Sequence, residues 1–138
     1  MRAVLDVNVI ISALLSPRGA PARTLRAWLD GAFELVVSPT LLRELERALR
    51  YPKLAERIPP EDREGLLELL SEAADLVDDP TDPAPVRSAD PDDDYIVALA
   101  ASATAVIVSG DHHLTDLADQ APIYTPSQFL ELLAAAER

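Results

Sequence analysis

The sequence predicts an α/β fold: a three-layer α/β/α sandwich with a short parallel sheet of four to five strands. Short apolar segments alternate along the chain with longer buried or amphipathic segments. Strands and helices that alternate in this way form a parallel sheet covered on both faces. The length of 138 residues, with 49% hydrophobic and 26% charged residues, is typical of one globular domain with a substantial core.

The predicted elements follow one another along the whole chain. The strands are the short apolar runs, at residues 3–5, 33–38, near 76–77, 104–111 and 121–126. The helices are the longer segments, at residues 7–15, 21–31, 38–52, 59–76, 92–103, 112–120 and 127–138. Residues 78–91 carry four prolines and are expected to form an irregular connector.

Local signals justify the elements of the first half. The first strand ends at Asp6, and the turn SPRGAP stops the apolar helix that follows. Trp28 lies on the apolar face of the second helix, which Gly31 ends because glycine readily adopts the left-handed conformation. After the strand FELVVS, Ser38 as N-cap and Pro39 at the first helical position predict the third helix.

The second half repeats the same alternation. The helix over 59–76 has one apolar face, formed by Leu66, Leu67, Leu70 and Ala74. Asp90 and Pro91 predict the start of the next helix, DDDYIVALAASA. The strand AVIVSG, the short helix HHLTDLADQ, the strand APIYTP and the helix SQFLELLAAAER complete the chain.

Composition narrows the class of protein. The absence of cysteine excludes disulfides and thiolate metal sites and agrees with a cytoplasmic location. No export signal is visible, and the longest apolar stretch, residues 95–108, is too short and interrupted to span a membrane. The net charge of −12 argues against a generally basic nucleic-acid surface. The negative charge is compatible with an enzyme that binds phosphates through metal ions. Two local basic groups are candidates for substrate contact, namely Arg18, Arg23 and Arg26 and, further along the chain, Arg43, Arg47, Arg50 and Lys53.

Two aspartates follow predicted strands directly. Asp6 comes after the first strand and Asp111 after AVIVSG. In open α/β sheets ligands bind at the carboxyl ends of the strands, near the point where the strand order switches. Either aspartate alone would equally serve as the N-cap of the next helix.

Two other segments of the chain contribute further acidic residues. Asp90–Asp94 contains four aspartates, of which a helix start explains one or two, because the others repel one another. Glu44 borders the apolar face of its helix, so it needs a partner, either a metal ion or a simple salt bridge. A set of carboxylates of this kind suits Mg²⁺ or Mn²⁺. His112 and His113 are too few to favour zinc.

Four segments, in this order, carry a family resemblance: VLDVNVIISALL, LLRELERAL, DPDDDYIVALA and AVIVSGDHHL. They resemble the PIN domain, a fold of Mg²⁺- or Mn²⁺-dependent nucleases, and in particular the VapC-like ribonucleases that are toxins of bacterial toxin–antitoxin systems. The resemblance covers nearly the whole chain and implies a single PIN-like nuclease domain over residues 1–138.

The resemblance also implies which residues form the site. Asp6, Glu44, Asp93 and Asp111 match the family's four acids, which are both catalytic residues and metal ligands. The spacing to Asp111 favours Asp93 as the third acid, with Asp94 as the alternative. Supporting roles fall to a further group, namely Asn8, Asp90, Asp94 and Ser109.

The implied activity is hydrolysis of RNA phosphodiester bonds with one or two Mg²⁺ or Mn²⁺ ions. Asp6, Asp93 and Asp111 would be ligands, and Glu44 would hold a second ion or act as general base. The implied partners are an RNA substrate, a second copy in a homodimer and a cognate antitoxin. The alternative is a non-catalytic PIN-like scaffold domain that acts through protein partners.

Overall fold

A parallel sheet of five strands forms the centre of the computed structural model, which describes residues 1–88 and 90–137. The strands are β1 (Arg2–Leu5), β2 (Glu34–Val37), β3 (Asp75–Leu76), β4 (Val106–Val108) and β5 (Ile123–Tyr124). Their order across the sheet is β3-β2-β1-β4-β5, and every neighbouring pair is parallel. The predicted α/β class and parallel sheet are confirmed.

Helices flank this sheet. They are α1 (Val7–Leu15), α2 (Ala20–Leu29), α3 (Pro39–Leu49), α4 (Pro52–Ala55), α5 (Pro60–Ala73), α6 (Asp94–Ala103), α7 (His112–Thr115) and α8 (Pro126–Ala136). Consecutive side chains of a strand point to opposite faces, and Ala3, Val4 and Leu5 are all at most 1% exposed. Both faces of β1 are therefore covered. None of the described helices has the length and apolar character needed to cross a membrane.

The strand order places a switch point beside β1. The chain runs outward from β1 to β2 and β3, then returns to β4 on the other side of β1. Leu5 is in register with Val108, and the Asp6 N–H donates a hydrogen bond to the Val108 carbonyl at 2.9 Å. The residues that follow β1 and β4 therefore emerge side by side at the carboxyl edge of the sheet.

The capped start of α3 fixes the orientation of this helix. The Ser38 hydroxyl accepts a hydrogen bond from the Leu41 N–H at 3.2 Å, which confirms the predicted N-cap. Leu41, Leu45 and Leu49 are fully buried along one stripe of α3. This packing places Glu44 at the margin of the buried face, as its position in the pattern predicts.

Several predicted helix boundaries are wrong. The helix predicted over 112–120 is only α7, in which Leu114 is the one buried side chain, so no apolar stripe holds further turns. The helix predicted over 38–52 ends at Leu49, and a new short helix, α4, begins at Pro52 because proline cannot continue a helix.

The remaining differences have separate causes. The helix predicted over 59–76 ends at Ala73 because the next residues pair with β2 as β3. The segment before α6 is a 3₁₀ turn over Pro91–Asp93, capped by Asp90, whose side chain accepts a hydrogen bond from the Asp92 N–H at 3.0 Å. Ala89 in the predicted connector and Arg138 in the last predicted helix lie outside the described residues.

Candidate active site at the carboxyl edge of the sheet

Asp6 and Ser109 join the ends of the two central strands. Asp6 directly follows β1 and is only 3% exposed, while Ser109 directly follows β4 and is completely buried. The Ser109 Oγ donates a hydrogen bond to Asp6 Oδ2 at 2.8 Å. This bond holds a carboxylate in the interior without a neutralising cation, which is costly for a charged group.

Ser109 also connects Asp6 to Asp111. Its Oγ accepts a hydrogen bond from the Asp111 N–H at 3.0 Å. The Asp111 side chain in turn accepts a hydrogen bond from the His113 N–H at 2.9 Å and caps α7. One buried hydroxyl thus positions both predicted acids that follow strands.

Asp93 is the third acid at this edge. Its pKa is raised to about 6, first by burial and then by the negative charges of Asp6, Asp111 and Asp90. The Asp93 Oδ2 atom is buried and has no hydrogen-bond partner among the described residues. Asp93 therefore lies close to both acids that follow the central strands, and one of its oxygens is available to a ligand.

Burial also raises the pKa of Asp6, and the charge of Asp111 contributes in the same direction. Hydrogen bonds from Ser109 and from the Asn8 backbone N–H lower it in part. Asp6 and Asp93 both have raised pKa values, so each is more stable when a cation or a proton reduces the negative charge around it.

The rival third acid, Asp94, has a different environment. Its Oδ1 accepts a hydrogen bond from the Ser88 N–H at 2.7 Å, and its Oδ2 lies 3.5 Å from Nη1 of Arg87. Asp94 thereby attaches the connector to the start of α6. Asp90, which caps the 3₁₀ turn, is close enough to raise the pKa of Asp93.

Glu44, the fourth predicted acid, forms an ion pair within its own helix. Its Oε2 is 2.5 Å from Nη2 of Arg47, one turn later on α3, and its side chain is 36% exposed. This is the salt-bridge alternative for an acid at the margin of the buried face. Glu44 is still a neighbour of the aspartates. Burial is the largest cause of the raised pKa of Tyr95, and the charges of Asp6 and Glu44 both raise this pKa further, so both acids lie near Tyr95.

The donor atoms at this edge bear on whether a metal ion fits there. Within residues 1–88 and 90–137, no three His, Cys, Asp or Glu side chains are already arranged to hold an ion. The donor chemistry still fits Mg²⁺ or Mn²⁺, because the group offers hard oxygen donors and Asp93 presents a buried oxygen without a partner.

The other sequence candidates have more ordinary surroundings. His112 and His113 stack on each other with ring centroids 4.2 Å apart, and His112 is exposed. Arg50 pairs with Glu46 at 2.6 Å, and Arg26 donates to the Pro17 carbonyl at 2.8 Å. These contacts are typical of solvated helix faces.

The sequence pattern does not predict two features of this edge. One is Tyr95, which lies between the aspartates and Glu44; its place two residues after Asp93, at the start of an apolar helix, was the available signal. The other is a cavity of about 300 Å³, lined by Asn8, Val9, Ser12, Pro21, Gly110, Asp111 and Pro126. No signal along the chain predicts the cavity, because distant segments contribute its walls.

Comparisons with known proteins identify the family and agree with the fold. A sequence model of the PIN domain matches residues 2–113. An uncharacterized protein of Methanocaldococcus jannaschii is 28% identical over 142 residues, which cover 95% of this chain and 90% of that protein. Similar solved structures are VapBC2 from Rickettsia felis bound to a DNA fragment from their promoter and FitAcB from Neisseria gonorrhoeae. The TM-scores are 0.62 and 0.52, the identities are 13% and 21%, and both alignments cover 91% of this chain and 98% of the other.

Proposed function

The chain belongs to the PIN domain family, and on that premise we propose that it is a metal-dependent endoribonuclease, the toxin of a toxin–antitoxin pair. One observation carries the proposal: Asp6, Asp93 and Asp111 converge at the switch point of the sheet, and one buried Asp93 oxygen has no partner in the described residues. None of the three forms an ion pair with lysine or arginine in the described chain.

The proposed roles follow from the contacts of each side chain. Asp6, Asp93 and Asp111 would hold Mg²⁺ or Mn²⁺, and Ser109 keeps Asp6 and the Asp111 backbone in position. When bound, such an ion lowers the pKa of water and offsets negative charge on the phosphoryl oxygens. Asp90 supports the site by capping the turn that carries Asp93.

Glu44 would take part by leaving Arg47. Exposed ion pairs contribute only about 0–1 kcal/mol, so the carboxylate can exchange its partner at little cost. Once free, Glu44 would accept the proton of the attacking water or help to hold a second ion. Cleavage would leave a 5′-phosphate and a 3′-hydroxyl.

An antitoxin partner and a homodimer are part of the proposal. The folds of VapBC2 and FitAcB support a protein partner, and the resemblance to VapC-like toxins supports its role as an antitoxin that blocks the acidic edge. Co-purification with the product of the neighbouring reading frame, followed by measurement of the mass of the complex, tests both. A monomer that retains no such product would contradict this part.

The nuclease proposal is tested with single substitutions. Asp6→Asn and Asp93→Asn should each reduce Mn²⁺-dependent cleavage of labelled single-stranded RNA by more than about 100-fold. Replacing a residue that supports a metal ligand typically reduces activity by about 10–100-fold, and replacing the ligand itself should reduce it further. Asp92→Asn is the matched control, since Asp92 is exposed in the same turn and should keep full activity. Circular dichroism checks that each variant is folded.

Cleavage that survives in both Asp6→Asn and Asp93→Asn would overturn the assignment. The scaffold alternative makes a different prediction: calorimetric titration of the wild-type protein with millimolar Mn²⁺ or Mg²⁺ would show no binding. Under our proposal the titration shows binding that Asp93→Asn weakens strongly.

A further inference from the structure

The cavity described above adjoins the acidic edge. It has a volume of about 300 Å³, and Asp111 lines it while also contributing to the group of three aspartates. A substrate whose phosphate is held at the aspartates would therefore have an adjacent part of the same molecule within reach of the cavity. The volume is at the lower end of the range for small-molecule sites, so it suits one small ring system.

The walls of the cavity are apolar on one part and hydrogen-bonding on another. Val9, Pro21 and Pro126 supply apolar surfaces. Asn8 and Ser12 lie four residues apart on α1, so they are neighbours on one side of the helix and offer an amide and a hydroxyl. Flat apolar contacts combined with such groups suit a planar, uncharged ring with polar edges.

The charge of the lining argues against a phosphate as occupant. Asp111 is the ionisable residue that lines the cavity, and its carboxylate repels anions. A nucleobase has the required features, because it is neutral, planar and carries donors and acceptors along its edge. Proteins that recognise single-stranded RNA commonly bind unstacked bases in this way.

Gly110 is one of the residues that line the cavity. A Cβ atom built at Gly110 would meet no atom within 4 Å, and its backbone does not have the positive φ that would strain other residues. A larger side chain at this position is therefore compatible with the fold but takes up space in or beside the cavity. This makes Gly110 a suitable place to test occupancy without disturbing the core.

We propose that the cavity between α1, Pro21, Gly110 and Pro126 is a base-binding subsite that receives one unstacked nucleobase of single-stranded RNA beside the cleavage site. The subsite rests on the proposed nuclease function and assigns a binding site to one base of its RNA substrate. A paired base within a duplex is held in its stack and cannot enter, so the subsite favours single strands over double strands. Asn8 and Ser12 are its hydrogen-bonding residues.

The experiment measures binding separately from cleavage. Gly110→Ala, Gly110→Val and Gly110→Leu are compared with wild type by fluorescence anisotropy, with a labelled single-stranded RNA hexamer in Ca²⁺ buffer. A ribose-phosphate hexamer without bases is the second probe. Gly65→Leu is the matched control, because Gly65 also has open space around its Cβ position but lies on α5, away from the cavity.

The expected result is a graded loss of affinity for RNA from Ala to Leu, reaching about tenfold, a difference typical of one lost contact group. The hexamer without bases should bind more weakly than RNA and equally to all variants, and Gly65→Leu should match wild type. Thermal unfolding verifies that the Gly110 variants remain folded, and Gly110→Ala provides the mildest test if Leu perturbs the loop.

Equal RNA affinity across the series would overturn the subsite, as would equal losses for RNA and for the hexamer without bases. Neither result affects the nuclease proposal, which depends on the cleavage assay with Asp6→Asn and Asp93→Asn. Conversely, a wild type that binds RNA with the graded pattern but never cleaves it would support the subsite and overturn the nuclease. A wild type that binds the RNA hexamer no more tightly than the hexamer without bases would also overturn the subsite.

Discussion

The surroundings of the Asp93 side chain show how negative charge is concentrated at this site. Its carboxylate lies near Asp6, Asp111 and Asp90, and burial together with these charges raises its pKa to about 6. The adjacent Asp94 has hydrogen-bond and ionic partners in Ser88 and Arg87 instead. Two neighbours in sequence with the same chemistry therefore differ entirely in surroundings, which favours Asp93 as the third acid.

The pKa of Asp93 predicts how stability changes with pH in the metal-free protein. The folded-state pKa of about 6 exceeds the ordinary value of 3.8, so the folded protein binds more protons than the unfolded chain between these values. Stability is consequently lost as the pH rises through about 6. In EDTA at pH 7, Asp93→Asn should therefore unfold at higher urea concentration than wild type, by about 1 kcal/mol after allowance for the partial exposure of the group.

The same comparison at pH 3.5 should show little difference, because this pH is below both pKa values and the carboxyl is mainly protonated in the folded and in the unfolded state. Asp92→Asn serves as control at both pH values, because Asp92 is exposed. If Asp93→Asn were less stable than wild type at pH 7 in EDTA, the repulsion inferred at this residue would be wrong.

At the scale of elements, the end of α6 contains a strained residue. Thr104 is the C-cap, with φ 53° and ψ 52°, a left-handed conformation that is unfavourable for a β-branched residue. The strain is maintained because the chain must leave α6 and enter β4 within two residues. Its N–H approaches the Ala100 and Ala101 carbonyls, so the tight end of the helix is still hydrogen-bonded.

Replacing this residue by glycine should stabilise the protein. Thr104→Gly removes a left-handed penalty of about 1–2 kcal/mol but adds backbone freedom to the unfolded chain, so we expect a net gain of about 0.5–1 kcal/mol. Ser102→Gly is the control, because this exposed position has ordinary helical geometry. Glycine there should lower the stability by about 0.5–1 kcal/mol. Thermal unfolding measures both; a lower melting temperature for Thr104→Gly would contradict the argument.

At the scale of the whole molecule, the strand order creates the site. β1 and β4 are neighbours although about a hundred residues separate them, and this places Asp6 beside Ser109 and Asp111. The same arrangement concentrates negative charge around the buried Asp6, which is unfavourable in a protein whose net charge is already −12. A divalent cation would relieve this repulsion and bind the folded state only.

Mn²⁺ should therefore raise the melting temperature. At a concentration about 100 times the dissociation constant, linkage gives about 2.7 kcal/mol, which for a domain of this size corresponds to roughly 5–10 °C. Differential scanning fluorimetry of wild type and of Asp6→Asn, with and without Mn²⁺, provides the measurement. An equal shift in both proteins would show that the ion stabilises the fold elsewhere.

Much of this molecule was predictable because its signals are local. Ser38 with Pro39, Asp90 with Pro91 and Gly31 mark helix ends by side-chain or backbone chemistry that acts within a few residues. The limits of α7 and α5 were not predictable, because burial and pairing with β2 depend on distant segments. The partner of Glu44 was left open for the same reason, and a salt bridge with Arg47 is what forms.

The sequence by itself determined the alternation of strands and helices, the parallel sheet, and the positions of acids that follow strands, because hydrophobic period and capping are local properties. Only the tertiary structure decided that β1 lies against β4, that the charges of Asp6 and Asp111 act on Asp93 while Asp94 holds the connector, and that a cavity opens beside Asp111. These features depend on distances between segments far apart in the chain. Such distances are set by the packing of the complete fold and by no single stretch of it.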